Sequence, residues 1–163
     1  MIKIAAGFYR SRIIETPASL TVPTKSMVRE AMGNALYQDL QGAIVLDLFA
    51  GSGALGLEAL SRGAKEAYFV DSSAEAYAVI NRNIVSLKAK GKAFCEYFEK
   101  AISDFKALNI HFDVVFLDPP YAMKDVYFSV PKELLEAGLL SEKAVLVLEF
   151  EGEVDAPVSL FSS

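Results

Sequence analysis

The chain has 163 residues, enough for one domain with a hydrophobic core, and is 53% hydrophobic and 23% charged, as globular proteins are. Its single cysteine and single histidine, Cys95 and His111, exclude an internal disulfide framework and argue against structural zinc, so no metal is expected. No apolar run approaches the ~20 residues that span a bilayer, and the N-terminus lacks signal-peptide features. We therefore expect a cytoplasmic protein without membrane contact.

The formal net charge is -5, which argues against a broadly basic surface for nucleic acid. The charge is unevenly distributed, because residues 1–34 contain five basic and two acidic side chains. Such a segment can contact phosphate locally, although the same pattern also fits ordinary solvated charges.

In chain order, residues 1–24 predict a small strand-and-turn segment, here called the N-terminal arm, because glycine and proline interrupt its apolar runs. Residues 25–39 have helical periodicity. From residue 43 onward, strands and helices alternate. The predicted strands are 43–49, 67–70, 93–97, 112–117 and 144–150, and the predicted helices are 54–62, 74–90, 99–107 and 127–138.

This alternation predicts an α/β fold in which helices cover both faces of a mostly parallel sheet. Ligands of such sheets bind beyond the carboxyl ends of the strands, near the point where the strand order reverses. The helix over 74–90 is predicted to face inward through Ala78, Ile80, Ile84 and Leu87. We expect two parts, with an arm and helix in residues 1–40 and a catalytic domain in residues 41–163.

A glycine-rich stretch, residues 47–56, joins the first predicted parallel strand to a helix. It satisfies the dinucleotide pattern G-x-G-x-x-G literally, yet Asp47 comes directly before the turn, and a pyrophosphate disfavours a nearby carboxylate. A cationic sulfonium tolerates one, so the stretch favours S-adenosylmethionine over NAD. The residues predicted to contact it here are Asp47, Phe49, Ala50, Gly51 and Gly53.

Two further segments are predicted to complete the cofactor site. Asp71 ends the second strand, where a carboxylate can accept hydrogen bonds from ribose hydroxyls, or can cap the next helix. Residues 98–101 follow the third strand and should approach the adenine through Phe98 and Ala101, although Phe98 is equally suited to the core.

The fourth strand is followed by Asp118-Pro119-Pro120-Tyr121, which predicts the catalytic loop. The Asp118 carboxylate and the Pro119 carbonyl can accept the two N–H bonds of an exocyclic amine and aim its lone pair at a methyl donor. The prolines stiffen the turn, and Tyr121 can stack on an extruded base. The loop suits any planar amine, so guanine N2, adenine N6 and a protein amide all remain open.

The sequence resembles the RsmD family of bacterial small-subunit ribosomal RNA guanine-N2 methyltransferases, over nearly the whole chain. The matching segments are residues 47–64, Leu117 through Tyr121, and N-terminal positions that include Ile4 to Gly7, Arg10, Arg12, Pro23-Thr24 and residues 28–31 with Asn34. The resemblance implies the class I S-adenosylmethionine-dependent methyltransferase fold, which is Rossmann-like, with a small N-terminal extension.

The resemblance also implies that Asp118 and Tyr121 engage the guanine and that Arg10, Arg12 and Arg29 lie near RNA. The expected partner is ribosomal RNA or the small ribosomal subunit, and the expected state is a monomer. The alternatives are another amino methyltransferase acting on adenine N6 or protein, a non-catalytic S-adenosylmethionine-binding domain and, as the weakest, an NAD-dependent oxidoreductase.

The sequence departs from the family at several positions. Family members usually have Arg where Val22 stands, Asp-Arg at Ser26-Met27 and an aromatic residue at Gly33. They also continue into a final β-hairpin, whereas this sequence ends at Ser163. We therefore expect the last antiparallel strands to be missing and the strand over 144–150, or a neighbour, to be an exposed edge.

Overall fold

The computed structural model describes residues 2–18, 26–119, 125–149 and 158–162. The helices are α1 (Ser26–Ala35), α2 (Tyr37–Leu40), α3 (Ala54–Ser61), α4 (Ala74–Leu87), α5 (Phe98–Leu108) and α6 (Val126–Glu136). The strands are β1 (Ile2–Lys3), β2 (Ile13–Ile14), β3 (Ile44–Leu48), β4 (Glu66–Asp71), β5 (Gly91–Cys95), β6 (Phe112–Leu117), β7 (Leu140–Glu149) and β8 (Val158–Ser162). No helix in these ranges is long and apolar enough to cross a membrane.

The main sheet has the strand order β5-β4-β3-β6-β7-β8. The first five strands of this order are mutually parallel, and β8 pairs antiparallel with β7. The alternation read from the sequence is therefore confirmed as a parallel sheet connected by helices. The expectation that the last antiparallel strands are missing was wrong for β8, which covers the edge of β7 that would otherwise be exposed.

Alternate residues of each central strand pack on opposite faces of the sheet. Val45 of β3 and Phe69 of β4 belong to a core shared with α3 and α4. Leu46 and Val70, one residue further along these strands, belong to the core on the other face, shared with α5 and α6. Both faces are therefore buried, and the strands lack the polar alternation of a half-exposed sheet.

The described part of the N-terminal arm, residues 2–18, packs on the α3 side of the sheet. β1 pairs antiparallel with β2, and the buried side chains of Ile2, Ile4 and Ile14 join the core that contains α3. The backbone amide of Phe8 donates to the Ser61 carbonyl at the end of α3, 2.8 Å away. The arm therefore lies along α3, whose other end receives the glycine-rich stretch.

Two helical predictions need correction. The helix predicted over 25–39 is divided at Leu36, whose φ of -102° and ψ of 12° separate α1 from α2. In α4, Ala78 is exposed, and the buried positions are Ala76, Val79, Ile80, Asn83 and Leu87. The inward face is thus rotated relative to the prediction, and a polar residue occupies it.

Candidate functional site

The carboxyl ends of three neighbouring strands meet at the centre of the sheet. Leu48 of β3 pairs with Val70 of β4 on one side and with Leu117 of β6 on the other. The chain builds the sheet outward from β3 to β5 and then returns to β6 on the opposite side of β3. The loops after β3 and β6 therefore flank the point where the strand order reverses, the usual ligand position in such sheets, as the sequence predicted.

The loop after β3, residues 49–53, has an unusual backbone and is called the glycine-rich loop below. Phe49, Gly51 and Gly53 have φ of 60°, 59° and 81°. Glycine adopts this left-handed region without penalty, whereas a bulky residue such as Phe49 is strained there. Strain of this kind persists only where surrounding contacts impose it, and it is concentrated at functional sites.

Asp71 at the end of β4 holds the glycine-rich loop from the neighbouring strand. Its Oδ2 accepts from the Gly51 amide at 2.9 Å, and its Oδ1 accepts from the Ser73 amide at 2.9 Å. The Ala50 amide adds a bond to the Val70 carbonyl at 3.0 Å. Because a carboxylate offers about four lone-pair sites, Asp71 keeps acceptor capacity for the hydroxyl groups of a ligand at this edge.

Asp47 is buried behind the glycine-rich loop, with 2% of its surface exposed. Its Oδ2 accepts from the Gly56 amide at 3.0 Å, in the first turn of α3, where helix amides lack intrahelical acceptors and the helix dipole favours negative charge. A Cβ on Gly56 would collide with the Phe69 ring. The third glycine of the motif thus lets α3 approach β4 closely, and Asp47 fixes the start of that helix.

The residues predicted near the adenine divide between the site and the core. Phe98 begins α5, is half-buried and has its ring centroid 6.3 Å from that of Phe49, so the structure brings these two predicted residues together. Ala101 is fully buried in the core on the α5 side of the sheet. Contact between Ala101 and the cofactor stays a prediction.

The predicted catalytic loop is described only in its first half. Asp118 directly follows β6 and is half-buried, and Pro119 is buried. Asp118 has polar or electrostatic interactions within the protein and is not an isolated carboxylate. Pro120 and Tyr121 lie outside the described residues, as do Val22, Pro23 and Thr24.

Arg29 is a core residue, which corrects the prediction of RNA contact by this side chain. It is 2% exposed, and its Nη1 donates to the Lys3 carbonyl at 2.9 Å and to Glu58 Oε1 at 3.3 Å. Burial lowers the pKa of the Arg29 guanidinium, and the charge of Glu58 opposes that shift. The guanidinium therefore joins α1, α3 and the arm, and a nucleic acid cannot reach it.

Arg10 and Arg12 are exposed in the turn between β1 and β2, as an RNA-contacting role requires. Arg12 also donates to the Ser86 carbonyl at 2.9 Å, in the last turn of α4. A cation is favourable at the C-terminal end of a helix, so Arg12 has a structural contact of its own.

Sequence reasoning missed two buried polar residues next to the glycine-rich stretch. Glu58 of α3 has no exposed surface, and Asn83 of α4 is 2% exposed. Their positions could have indicated them, because each is a polar residue on the otherwise apolar face of a helix, where burial is costly unless its hydrogen bonds are made. The same region accounts for the glycine at position 33. A side chain there would overlap the side chain of Arg62, whose Nε donates to Glu58.

The strand order, the left-handed loop after β3 and the acidic residues at neighbouring strand ends define a class I, Rossmann-like methyltransferase fold. A solved structure called a putative methyltransferase yhhF from Escherichia coli has this fold, with a TM-score of 0.80 and 33% identity over 96% of this chain and 84% of that one. The expectation of this fold is confirmed.

The family described as Conserved hypothetical protein 95 matches residues 2–161, and the chain belongs to it. It is 32% identical to the putative rRNA methyltransferase YlbH of Bacillus subtilis, over 96% of this chain and 86% of that protein. It is also 33% identical to the ribosomal RNA small subunit methyltransferase D of Haemophilus influenzae, over 92% of this chain and 79% of that protein. The resemblance to the RsmD family is thereby confirmed.

Proposed function

We propose that this protein transfers a methyl group from S-adenosylmethionine to the exocyclic N2 of a guanine in small-subunit ribosomal RNA. The observation that carries the proposal is the register of β3 with β6, in which Leu48 and Leu117 are partners. The glycine-rich loop, which follows Leu48, and Asp118, which follows Leu117, consequently start side by side at the same edge of the sheet. Transfer between two substrates requires such proximity, because the donor and the acceptor must be held in line.

The residues at the carboxyl end of β3 and β4 suit the proposed cofactor. Asp71 has acceptor capacity for ribose hydroxyls, and the left-handed turns at Gly51 and Gly53 allow close approach to the backbone. Phe49 and Phe98 provide apolar surface beside the loop. Asp47 and Ala50 act by holding the loop and α3. When bound, the cofactor supplies a methyl group already activated by a sulfonium, so the protein contributes positioning.

In this proposal Asp118 and the Pro119 carbonyl accept the two N–H bonds of the target amine and orient its lone pair. The buried Pro119 restricts the turn, and Pro120 and Tyr121 extend the same loop with a second proline and a stacking ring. Adenine N6 presents a similar planar amine, so it is the closest alternative target. A domain that binds the cofactor without catalysis is the second alternative.

Residues 1–40 provide the proposed RNA contact, with Arg10 and Arg12 as its exposed cations, and residues 41–163 form the catalytic domain. The chain acts as a cytoplasmic monomer on ribosomal RNA or the small subunit. The chain after residue 34 is acidic and would repel naked RNA. This favours an assembled particle as the substrate, because its proteins would offset that repulsion.

The proposal is tested by incubating the protein with labelled S-adenosylmethionine and, separately, undermethylated small ribosomal subunits, naked ribosomal RNA and DNA. We expect label on guanine in a ribosomal substrate. Label confined to adenine or protein would exclude the proposed target. Binding of the cofactor without transfer to any substrate would support the non-catalytic alternative.

Asp118→Ala should reduce methyl transfer by about a hundredfold or more, which is the loss expected when a reacting group is no longer positioned. The affinity for S-adenosylhomocysteine should change less than about threefold, because the carboxylate is proposed to hold the amine rather than the cofactor. Single-turnover kinetics and calorimetry provide the two measurements. The exposed carboxylate Glu133 of α6 provides the matched control, Glu133→Ala. A large loss of cofactor binding in the Asp118 variant would contradict the assignment.

Replacing Arg10 and Arg12 together with alanine should weaken RNA binding and leave cofactor binding intact. Each lost phosphate contact lowers the slope of log affinity against log salt by about 0.7 to 0.9, so the double variant should lose about 1.5 in slope. Filter binding over a salt series measures this. Lys132→Ala, an exposed cation on α6, is the control. An unchanged salt slope would remove the two arginines from the RNA interface.

A further inference from the structure

A buried amide joins the N-terminal arm to the glycine-rich loop. Asn83 lies in α4 on the face that also presents Ile80 and Leu87 to the core, and 2% of its surface is exposed. A polar side chain in such a place is costly unless its hydrogen bonds are made. Its partners therefore indicate why it is tolerated there.

Asn83 makes three hydrogen bonds to two separate segments. Its Nδ2 donates to the Ser52 carbonyl at 3.0 Å and to the Glu15 carbonyl at 3.0 Å. Its Oδ1 accepts from the Glu15 amide at 2.8 Å. Both donors of the amide are used, and Glu15 has its backbone donor and acceptor satisfied by one side chain, as a neighbouring strand would do.

The two segments differ in their proposed roles. Ser52 lies between Gly51 and Gly53 in the glycine-rich loop and is itself buried. Glu15 directly follows β2 and continues the arm that carries Arg10 and Arg12. The side chain of Glu15 also pairs with Arg82 at 2.9 Å, but both partners are about half exposed, so this ion pair adds little. Among the described residues, the Asn83 side chain therefore provides the direct hydrogen-bonded link between the Glu15 backbone and the glycine-rich loop.

We propose that Asn83 is a positioning residue that couples cofactor occupancy of the glycine-rich loop to the order of the arm around Glu15. The inference depends on the proposed function, since it takes the loop to be the cofactor site. A ligand that restrains the Ser52 carbonyl restrains its Asn83 donor and, through the same amide, the backbone of Glu15. Coupling of this kind is reciprocal, so an arm ordered by RNA also favours the cofactor-binding loop.

Hydrogen–deuterium exchange tests the coupling directly, because the Glu15 amide is one of the donors. In the unmodified protein, saturating S-adenosylhomocysteine should slow exchange in peptides covering residues 9–18 by about fivefold or more. In Asn83→Asp, which loses both donors, and in Asn83→Ser, which is too short to reach both segments, this slowing should disappear. Calorimetry would establish that each variant is saturated with the ligand.

Arg82→Gln is the matched control, since it removes the neighbouring ion pair with Glu15 but retains Asn83. It should keep the ligand-dependent slowing. Slowing that persists in folded Asn83 variants overturns the inference, as does its absence in the unmodified protein when ligand binds. The second comparison requires no variant and stands even if both substitutions prevent folding. If the unmodified protein binds no S-adenosylhomocysteine, the proposed function falls together with the inference.

Discussion

Two carboxylates beside the proposed adenine end of the site affect each other's protonation. Glu96 follows β5, its side chain is 13% exposed, and its Oε2 is 3.5 Å from Lys100 Nζ. Burial raises the pKa of Glu96, and the neighbouring Asp104 carboxylate raises it further. Glu96 and Lys100 together lower the pKa of Asp104. The two pKa shifts therefore have opposite signs, raised for Glu96 and lowered for Asp104.

The direction of the pH effect follows from the raised pKa of Glu96. Between its ordinary pKa and the raised value, the folded state binds more protons than the unfolded state, so stability falls as pH rises through that window. The contribution of Glu96 is fully present below its ordinary pKa. Asp104 acts in the opposite sense, because its lowered pKa contributes stability that is lost as pH falls.

Glu96→Gln should raise the Tm at pH 7.5 by about 2 °C, because it removes the cost of burying a charge beside the Asp104 carboxylate. The gain should shrink toward zero near pH 4, where Glu96 is protonated in both states. Thermal unfolding at several pH values measures it. Glu142→Gln, at an exposed position of β7, should show no such trend. A gain independent of pH would contradict the explanation.

At the scale of elements, α3 connects the N-terminal arm to the sheet through one buried carboxylate. Glu58 accepts from the Ala5 amide at 3.0 Å, the Ala6 amide at 3.3 Å and Arg62 Nε at 2.9 Å, in addition to Arg29. Charge-assisted bonds of this kind offset the desolvation of a carboxylate that has no exposed surface. The arm is therefore held as part of the core that supports the glycine-rich loop.

Glu58→Ala should lower the free energy of unfolding by about 3–5 kcal/mol, because it leaves Arg29 buried without a countercharge. Urea unfolding monitored by circular dichroism gives the change. The exposed Glu133→Ala should remain within about 0.5 kcal/mol of the unmodified protein. A loss below about 1 kcal/mol for Glu58→Ala would show that water or a neighbouring group replaces the carboxylate.

At the scale of the whole molecule, β8 decides whether the long strand β7 is an edge of the sheet. β7 is ten residues long and is paired on both sides, with β6 and with β8. Without β8, a long row of backbone donors and acceptors would be exposed, and such edges pair with other chains.

Removing residues 158–163 should therefore make the protein associate at micromolar concentration, because β7 becomes an open edge. Light scattering coupled to size exclusion measures the association. A control lacking only Ser163 keeps β8 and should behave as the full chain does. A shortened protein that has the same oligomeric state as the full chain and is equally stable would show that β8 is dispensable for covering the edge.

Much of the fold was predictable from local patterns. β6 was predicted over the residues it occupies, because Phe112 to Leu117 is an apolar run of strand length after a turn. β7 begins four residues earlier than predicted, because Leu140 pairs with Phe112 and the register shifts before Val114. Ala78 was misassigned because packing decides the rotation of a helix, and a small apolar residue is compatible with either face.

The sequence by itself determined the alternation of strands and helices from β3 to β7 and identified the residues of the loops after β3, β4 and β6, since both depend on residues that are close in the chain. The tertiary structure alone decided which buried polar groups join these loops to the arm. Asn83 bonds partners 31 and 68 residues away, and Glu58 meets Ala5 across 53 residues. No periodicity records such pairs, because a hydrogen bond depends on distance in space and leaves no pattern between its partners in the chain.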